Sequence, residues 1–369
     1  MKQAAISTIL IICLLSNTGC WDYRDLESQN IPFVAAFDSA DGKPEQFIAS
    51  ALSPNLDPET KGQVQLISLQ TPLAGEYRGN HAHYSPELYN PGLIQAYLLG
   101  EGFARSGRYS DVVDSTERSA LISSTVELAV VEGKATELLK QRPEDYSNIG
   151  LYIINQLSNA QRHSFLPTIS LHKFLTNTMA GRNPILPTMR LMEDAAKLSG
   201  IAIFNKFKMV DKISIEEART LCFLRGIKGQ GIIGYKTKTN GETVDKGSVR
   251  VQNSRKVKVT RRDNRYFFDI TIRLKGSLVE CTQHCNFLQD PEKLKEIEDQ
   301  VASTVTRDAY RFIEKMQDQY GFDCLDLNRY ALAKWRAELE DTIDDPRFIK
   351  NATIRVKVKV KIQCIGEST

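Results

Sequence analysis

The segment Ile354 to Ile362, IRVKVKVKI, alternates without a break. Successive side chains of a β-strand point to opposite faces. A period of two therefore puts Ile354, Val356, Val358, Val360 and Ile362 on one side and Arg355, Lys357, Lys359 and Lys361 on the other. The segment is a half-buried strand. Its basic side admits two readings. It could face anionic lipid headgroups, or it could keep an open sheet face soluble and discourage a further strand from pairing at the edge. One strand supplies too few charges for a lipid patch, which favours the second reading.

Other strands and helices follow from equally local signals. Ile31–Phe37 and Gln46–Leu52 are apolar runs joined through Asp41-Gly42, a hairpin signal, and Gln63–Leu69 reads as a third strand. A loop carrying His81, His83, Pro86 and Pro91 follows, and then helical patterns over Gly92–Ala104 and Tyr109–Leu121. Val126–Val131 is strand-like and Ala135–Lys140 reads as a short helix. In Gly181–Pro187 two prolines remove donors and fix φ, so the stretch is expected to be irregular and to divide the chain. Beyond it come a strand pair at Ser199–Asn205 and Lys208–Lys212 and a capping box at Ser214–Glu217 opening a helix that stops at Gly226. Strands are expected at Ile232–Lys238, Gly247–Gln252, Arg255–Arg261 and Tyr266–Glu280, and helices at Pro291–Tyr320 and Asn328–Leu339. Strands and helices come in segregated runs. The expected fold class is thus α+β, with mixed or antiparallel sheets flanked by helices.

The amino terminus says where such a body would reside. Lys2 precedes the apolar run Ala4–Leu15, which is too short to span a bilayer and has the build of a secretory signal. The small residues of Asn17-Thr18-Gly19 stand directly before Cys20, in the manner of a lipobox. On that reading residues 1–19 are a signal peptide. Cys20 becomes the S-diacylglycerol attachment point, with its amino group free or acylated. The alternative is a plain secreted protein with a stray cysteine at the cut. Two acyl chains hold a protein stably to a membrane, so a soluble body would need no spanning helix, and no later apolar run is long enough to be one.

Removing 19 residues from 369 leaves 350, enough for two or three domains. The formal net charge of +3 gives no case for nucleic-acid binding. No common catalytic arrangement is spelled out, which leaves no enzyme to argue for. Gly229-Gln230-Gly231-Ile232-Ile233-Gly234 matches G-x-G-x-x-G, but a helix precedes it, a β-type run follows it, and no acid lies near Ser254. A dinucleotide site requires the reverse order, so no cofactor is expected. Cys281, His284 and Cys285 are three ligand types without a fourth, and His81 and His83 have no third, so no metal is expected either. Cys222, Cys281, Cys285, Cys324 and Cys364 are too widely spaced for a disulfide framework, and their pairing stays open.

Several segments together resemble one family. GCWDYRDLES at Gly19–Ser28, LLGEGFARSG at Leu98–Gly107, GRNPILPTMRL from Gly181 and LSGIAIFNKFKMVDKISIEEARTLCFLRG from Leu198 are similar to elements of the Ger(x)C family, the lipoprotein C subunits of spore germinant receptors. So is the closing VKVKVKIQCIGES, which follows the helix bearing Trp335. Asn17 in the lipobox and TPLAGEYRG from Thr71 depart from the family pattern.

The resemblance implies a body of about three subdomains: an N-terminal domain over 20–180, itself two subdomains, a divider at 181–198, and a C-terminal domain over 199–369. It also implies a lipid-anchored, non-enzymatic subunit on the outer face of the spore inner membrane. The partners would be an A subunit with soluble and membrane parts and a transporter-like B subunit, with no small-molecule ligand on this chain. A substrate-binding lipoprotein feeding a nutrient importer is the alternative, distinguishable by strand–helix alternation over two lobes.

Overall fold

The computed structural model describes residues 25–55, 63–143, 146–193, 195–239, 242–263, 265–282, 291–339 and 342–363. Two short strands, β1 (Gln29–Asn30) and β5 (Leu88–Tyr89), pair in parallel at the entrance to the body. The main sheet has eight strands. Its hairpin β2 (Val34–Ser39) and β3 (Phe47–Pro54) turns through Gly42 at φ 71°, a conformation open to glycine. β4 (Val64–Thr71) extends the hairpin antiparallel.

On the other side of β2 lie β6 (Ala96–Gly100), β7 (Glu127–Val131) and β8 (Ile185–Met192), all parallel. β9 (Ala195–Asn205) and β10 (Lys208–Ser214) close that edge antiparallel. β6 corrects the helical reading of Gly92–Ala104. Ala-Tyr-Leu-Leu-Gly is buried on both faces, so it carries no alternation, and only from Glu101 does the chain turn helical.

Helices cover both faces of this sheet. On one, α1 (Ala74–His81), α2 (Glu101–Ser106), α3 (Tyr109–Glu117) and α6 (Leu171–Met179) enclose a cluster that includes Phe37, Phe47, Phe103, Tyr109, Phe174 and Phe204. On the other, α4 (Ala135–Leu139) and α5 (Ile149–His163) pack on Val34, Leu52, Leu98 and Val131. Two further expectations change. His81 is not in a surface loop but ends α1 and is fully buried, while His83 is exposed. Ile185-Leu186-Pro187 is not irregular but begins β8. The ladder from β8 to β7 starts at Thr188, one residue past Pro187, so the proline sits at the margin of that ladder.

A third apolar cluster lies under a four-stranded sheet. β11 (Gln230–Thr239), β12 (Glu242–Arg262) and β13 (Arg265–Cys281) are antiparallel, and β14 (Thr353–Gln363) joins β13 in parallel as an edge. β12 is one strand of 21 residues where the sequence suggests two. Its cover is α7 (Ile215–Arg225), α8 (Pro291–Lys315), α9 (Asn328–Leu339) and α10 (Pro346–Lys350). α8 turns Ile297, Val301, Val305, Ala309 and Phe312 to the core, one near every turn. α7 opens on its capping box, with Ser214 Oγ accepting from Glu217 N at 3.3 Å, and stops at Gly226, φ 70°. The architecture is α+β with mixed sheets, as expected.

Candidate functional site

Cys20 lies outside the described residues, as do His284, Cys285 and Cys364. What is described is how the chain enters the body behind Cys20. Leu26–Ser28 form an exposed 3-10 turn, and β1 follows at once. Asn30, 3% exposed, then locks the entry. Its Nδ2 donates to Gln65 Oε1 at 2.8 Å, its Oδ1 accepts from Ser53 at 2.7 Å, and its main-chain oxygen accepts from Asn90 N at 2.8 Å. Asn90 Nδ2 also donates to Gln29 Oε1 at 2.7 Å. Asn30 thus fastens β1 to β3, β4 and the residue that follows β5 together. Sequence patterning gives no sign of Asn30, because its partners lie 23 to 60 residues away.

A second buried polar group sits at the sheet end of β2. Asp38 accepts from Ala135 N at 2.7 Å, Thr136 N at 2.8 Å and Thr136 Oγ1 at 2.6 Å, capping α4 from 97 residues away. Gly100 makes room for it: a Cβ there would stand 1.9 Å from Asp38 Oδ1. The sequence reading places Asp38 in a hairpin turn and misses this role.

Beside the first apolar cluster is a cavity of about 230 Å³, lined by Tyr77, Tyr89, Tyr97, Arg78, Ser115 and Thr116 among others. None of its lining residues is a carboxylate, so an ammonium there would find hydroxyl and aromatic partners but no ion pair. His81 packs nearby against the tilted rings of Tyr89 and Tyr77, its ring nitrogens without hydrogen-bond partners among the described residues. Burial lowers its pKa, opposed in part by the Glu87 carboxylate.

The other motifs resolve into packing. The glycine motif opens β11 in an antiparallel pair, and a Cβ on Gly231 would collide with the ring of Phe165 at 2.4 Å. Its glycine serves close approach to an aromatic side chain. Cys222 and Cys324 are free and fully buried; burial pushes the Cys222 thiol up to about 12 and raises that of Cys324 as well, so neither supplies a thiolate near neutral pH. Cys281 ends β13, half-buried. Among the described residues no three His, Cys, Asp or Glu side chains gather as a metal site, and no helix is long and apolar enough to cross a membrane.

Comparison with known proteins adds family and fold. Residues 22–191 match the spore germination protein N-terminal domain, and residues 199–366 match the spore germination B3/GerAC-like C-terminal domain. The spore germination protein GerQC of Bacillus cereus is 24% identical over 365 residues, 96% of this chain and 98% of that one. Spore germination protein B3 of Bacillus subtilis (strain 168) is 20% identical over 335 residues, covering 88% of this chain and 87% of its own. The crystal structure of the GerBC protein superposes with a TM-score of 0.60 at 14% identity, over 90% of this chain and 99% of that chain.

Proposed function

The chain belongs to the Ger(x)C family, the C subunits of spore germinant receptors, and from that premise we propose that it is a lipid-anchored, non-enzymatic receptor subunit. Cys20 carries the diacylglycerol, and the body stands on the outer face of the spore inner membrane. It assembles there with an A subunit and a transporter-like B subunit. The observation that carries the reading is the joint match of both family domains directly behind Cys20, from residue 22 to residue 366. The Asn30 lock supports it, because a tethered body must hold its leader firmly.

In this role the chain holds or transmits within the complex while small-molecule sensing lies elsewhere. The mature chain is expected to bind no amino-acid or sugar germinant by calorimetry even at millimolar ligand, which corresponds to only about 4 kcal/mol.

Cys20→Ala tests the anchor. The variant should accumulate as a full-length precursor and take up no labelled fatty acid. Labelling that persists would remove the lipid anchor from the account.

A further inference from the structure

The lysines of β14 are not the only cations on their face of the sheet. β14 pairs with β13 and β13 with β12, so residues sharing a rank across the three strands point the same way. Lys256, Thr271 and Lys357 form one rank, Ser254, Arg273 and Lys359 the next, and Gln252, Lys275 and Lys361 the third. At the other end Lys258 and Arg355 flank Asp269. Every one of these cations is exposed, while on the opposite face Phe268, Ile270, Ile272, Ile354 and Ile362 are buried and Val356, Val358 and Val360 half-buried against the core beneath.

Little within the protein neutralises this face. In these ranks the one carboxylate is Asp269, held by Arg355 through Nε–Oδ1 at 2.7 Å and Nη2–Oδ2 at 3.1 Å. At the rim Glu298 of α8 stands 3.8 Å from Lys361. Among the described residues no carboxylate forms an ion pair with Lys256, Lys258, Arg273, Lys275, Lys357 or Lys359. The shortage of charge that counts against a lipid contact for β14 alone does not apply to three strands.

We propose that this outer face of the four-stranded sheet docks on anionic phospholipid headgroups. The chemistry favours lipid over a protein partner. Protein interfaces are enriched in aromatic residues and depleted in lysine, whereas these ranks carry lysine among Ser, Thr and Gln, with Phe267 alone as an aromatic beside Arg355. A fluid anionic surface needs no complementary shape and responds to the number of cations brought near it. The proposal rests on the reading of Cys20 as an anchor in one respect, that the anchor brings this face to a membrane. Because two acyl chains already hold the protein there, the basic face sets orientation. It lays the C-terminal unit flat, with the core-side helices α8 and α9 turned away from lipid.

The test uses the lipid-free mature chain, Cys20→Ser, sedimented with vesicles of phosphatidylglycerol in phosphatidylcholine and with vesicles of phosphatidylcholine alone. Binding is expected only to the anionic vesicles. It should weaken as salt shortens the screening length from about 30 Å at 0.01 M to about 10 Å at 0.1 M. Each cation removed should cost about fivefold in affinity, so K256Q/R273Q/K357Q/K359Q should lose several hundredfold. Circular dichroism checks that this variant is folded; if it is not, K357Q and K359Q singly carry the test at about fivefold each. R118Q and K140Q, on the N-terminal unit, should bind as the parent does. Equal binding to neutral vesicles, or undiminished binding by the folded variants, overturns the proposal. Binding to polyglutamate without binding to anionic vesicles also overturns it and assigns the face to an acidic protein. No lipid is attached in this assay, so its outcome is separate from that of fatty-acid labelling at Cys20.

Discussion

Arg225 and Asp326 form an ion pair at 2.9 Å with side chains only 4% and 13% exposed. The same guanidinium donates to the main-chain oxygens of Asn183 at 2.9 Å and Cys324 at 3.2 Å. Asn183 returns a bond from Nδ2 to Asp323 O at 2.9 Å. One side chain at the end of α7 thus joins the loop before β8 to the loop before α9, coupling the eight-stranded sheet to the C-terminal core.

Removing one partner of such a pair leaves a buried charge without compensation. Asp326→Ala is expected to destabilise the protein by about 3–5 kcal/mol, read from the midpoint of denaturant unfolding. Arg118→Ala, at an exposed i,i+4 pair with Asp114, should leave the midpoint unchanged. Equal effects from both would mean that the buried pair does not couple the two sheets.

Gly100→Ala should also destabilise, by about 1–3 kcal/mol, through overpacking. The added methyl meets Asp38 Oδ1, and that carboxylate is held by three donors and cannot swing aside. Thermal unfolding of Gly100→Ala against Gly79→Ala, whose Cβ would meet nothing within 4 Å, checks this.

His81 gives a pH dependence of definite sign. Its pKa in the folded state is lowered, chiefly by burial, so below about pH 6.5 the unfolded chain takes up a proton that the folded chain refuses. Stability should therefore fall as pH drops through that value. His81→Phe should flatten the fall between about pH 7 and pH 5, as measured by urea unfolding at each pH.

Asp211 acts at lower pH. Burial raises its pKa, but the Tyr320 hydroxyl at 2.6 Å and the Lys315 ammonium at 3.1 Å more than offset this and hold it below the usual range. A depressed carboxylate contributes stability above its unfolded pKa and loses it as pH falls through the folded one. The deficit of Asp211→Asn against the parent should be constant above about pH 4 and shrink below it.

What was legible in the sequence was local. The alternation of β14, the Asp41-Gly42 turn and the Ser214–Glu217 capping box each carry their signal within a dozen residues, and the fold has a strand, a hairpin and a capped helix there. β6 was not legible, because a central parallel strand loses the period of two when both faces are buried. α5 does carry a local signal, since Ile149, Ile153 and Leu157 recur every fourth residue and are buried, and the sequence reading above misses it. Asn30, Asp38, Arg225 and the share of the basic face that lies on β12 and β13 carry no local signal. Each exists only through partners tens of residues away, and the match of Arg273 to Lys359 follows from a parallel pairing that no local pattern encodes.

If the chain works inside a germinant receptor, the tagged, lipidated protein should co-purify from detergent-solubilised spore membranes with A- and B-type receptor subunits in fixed proportion. Deleting its gene should abolish the spore's response to that receptor's germinant. Recovery with the permease and ATPase of a nutrient importer, in spores that germinate normally without the chain, would contradict it.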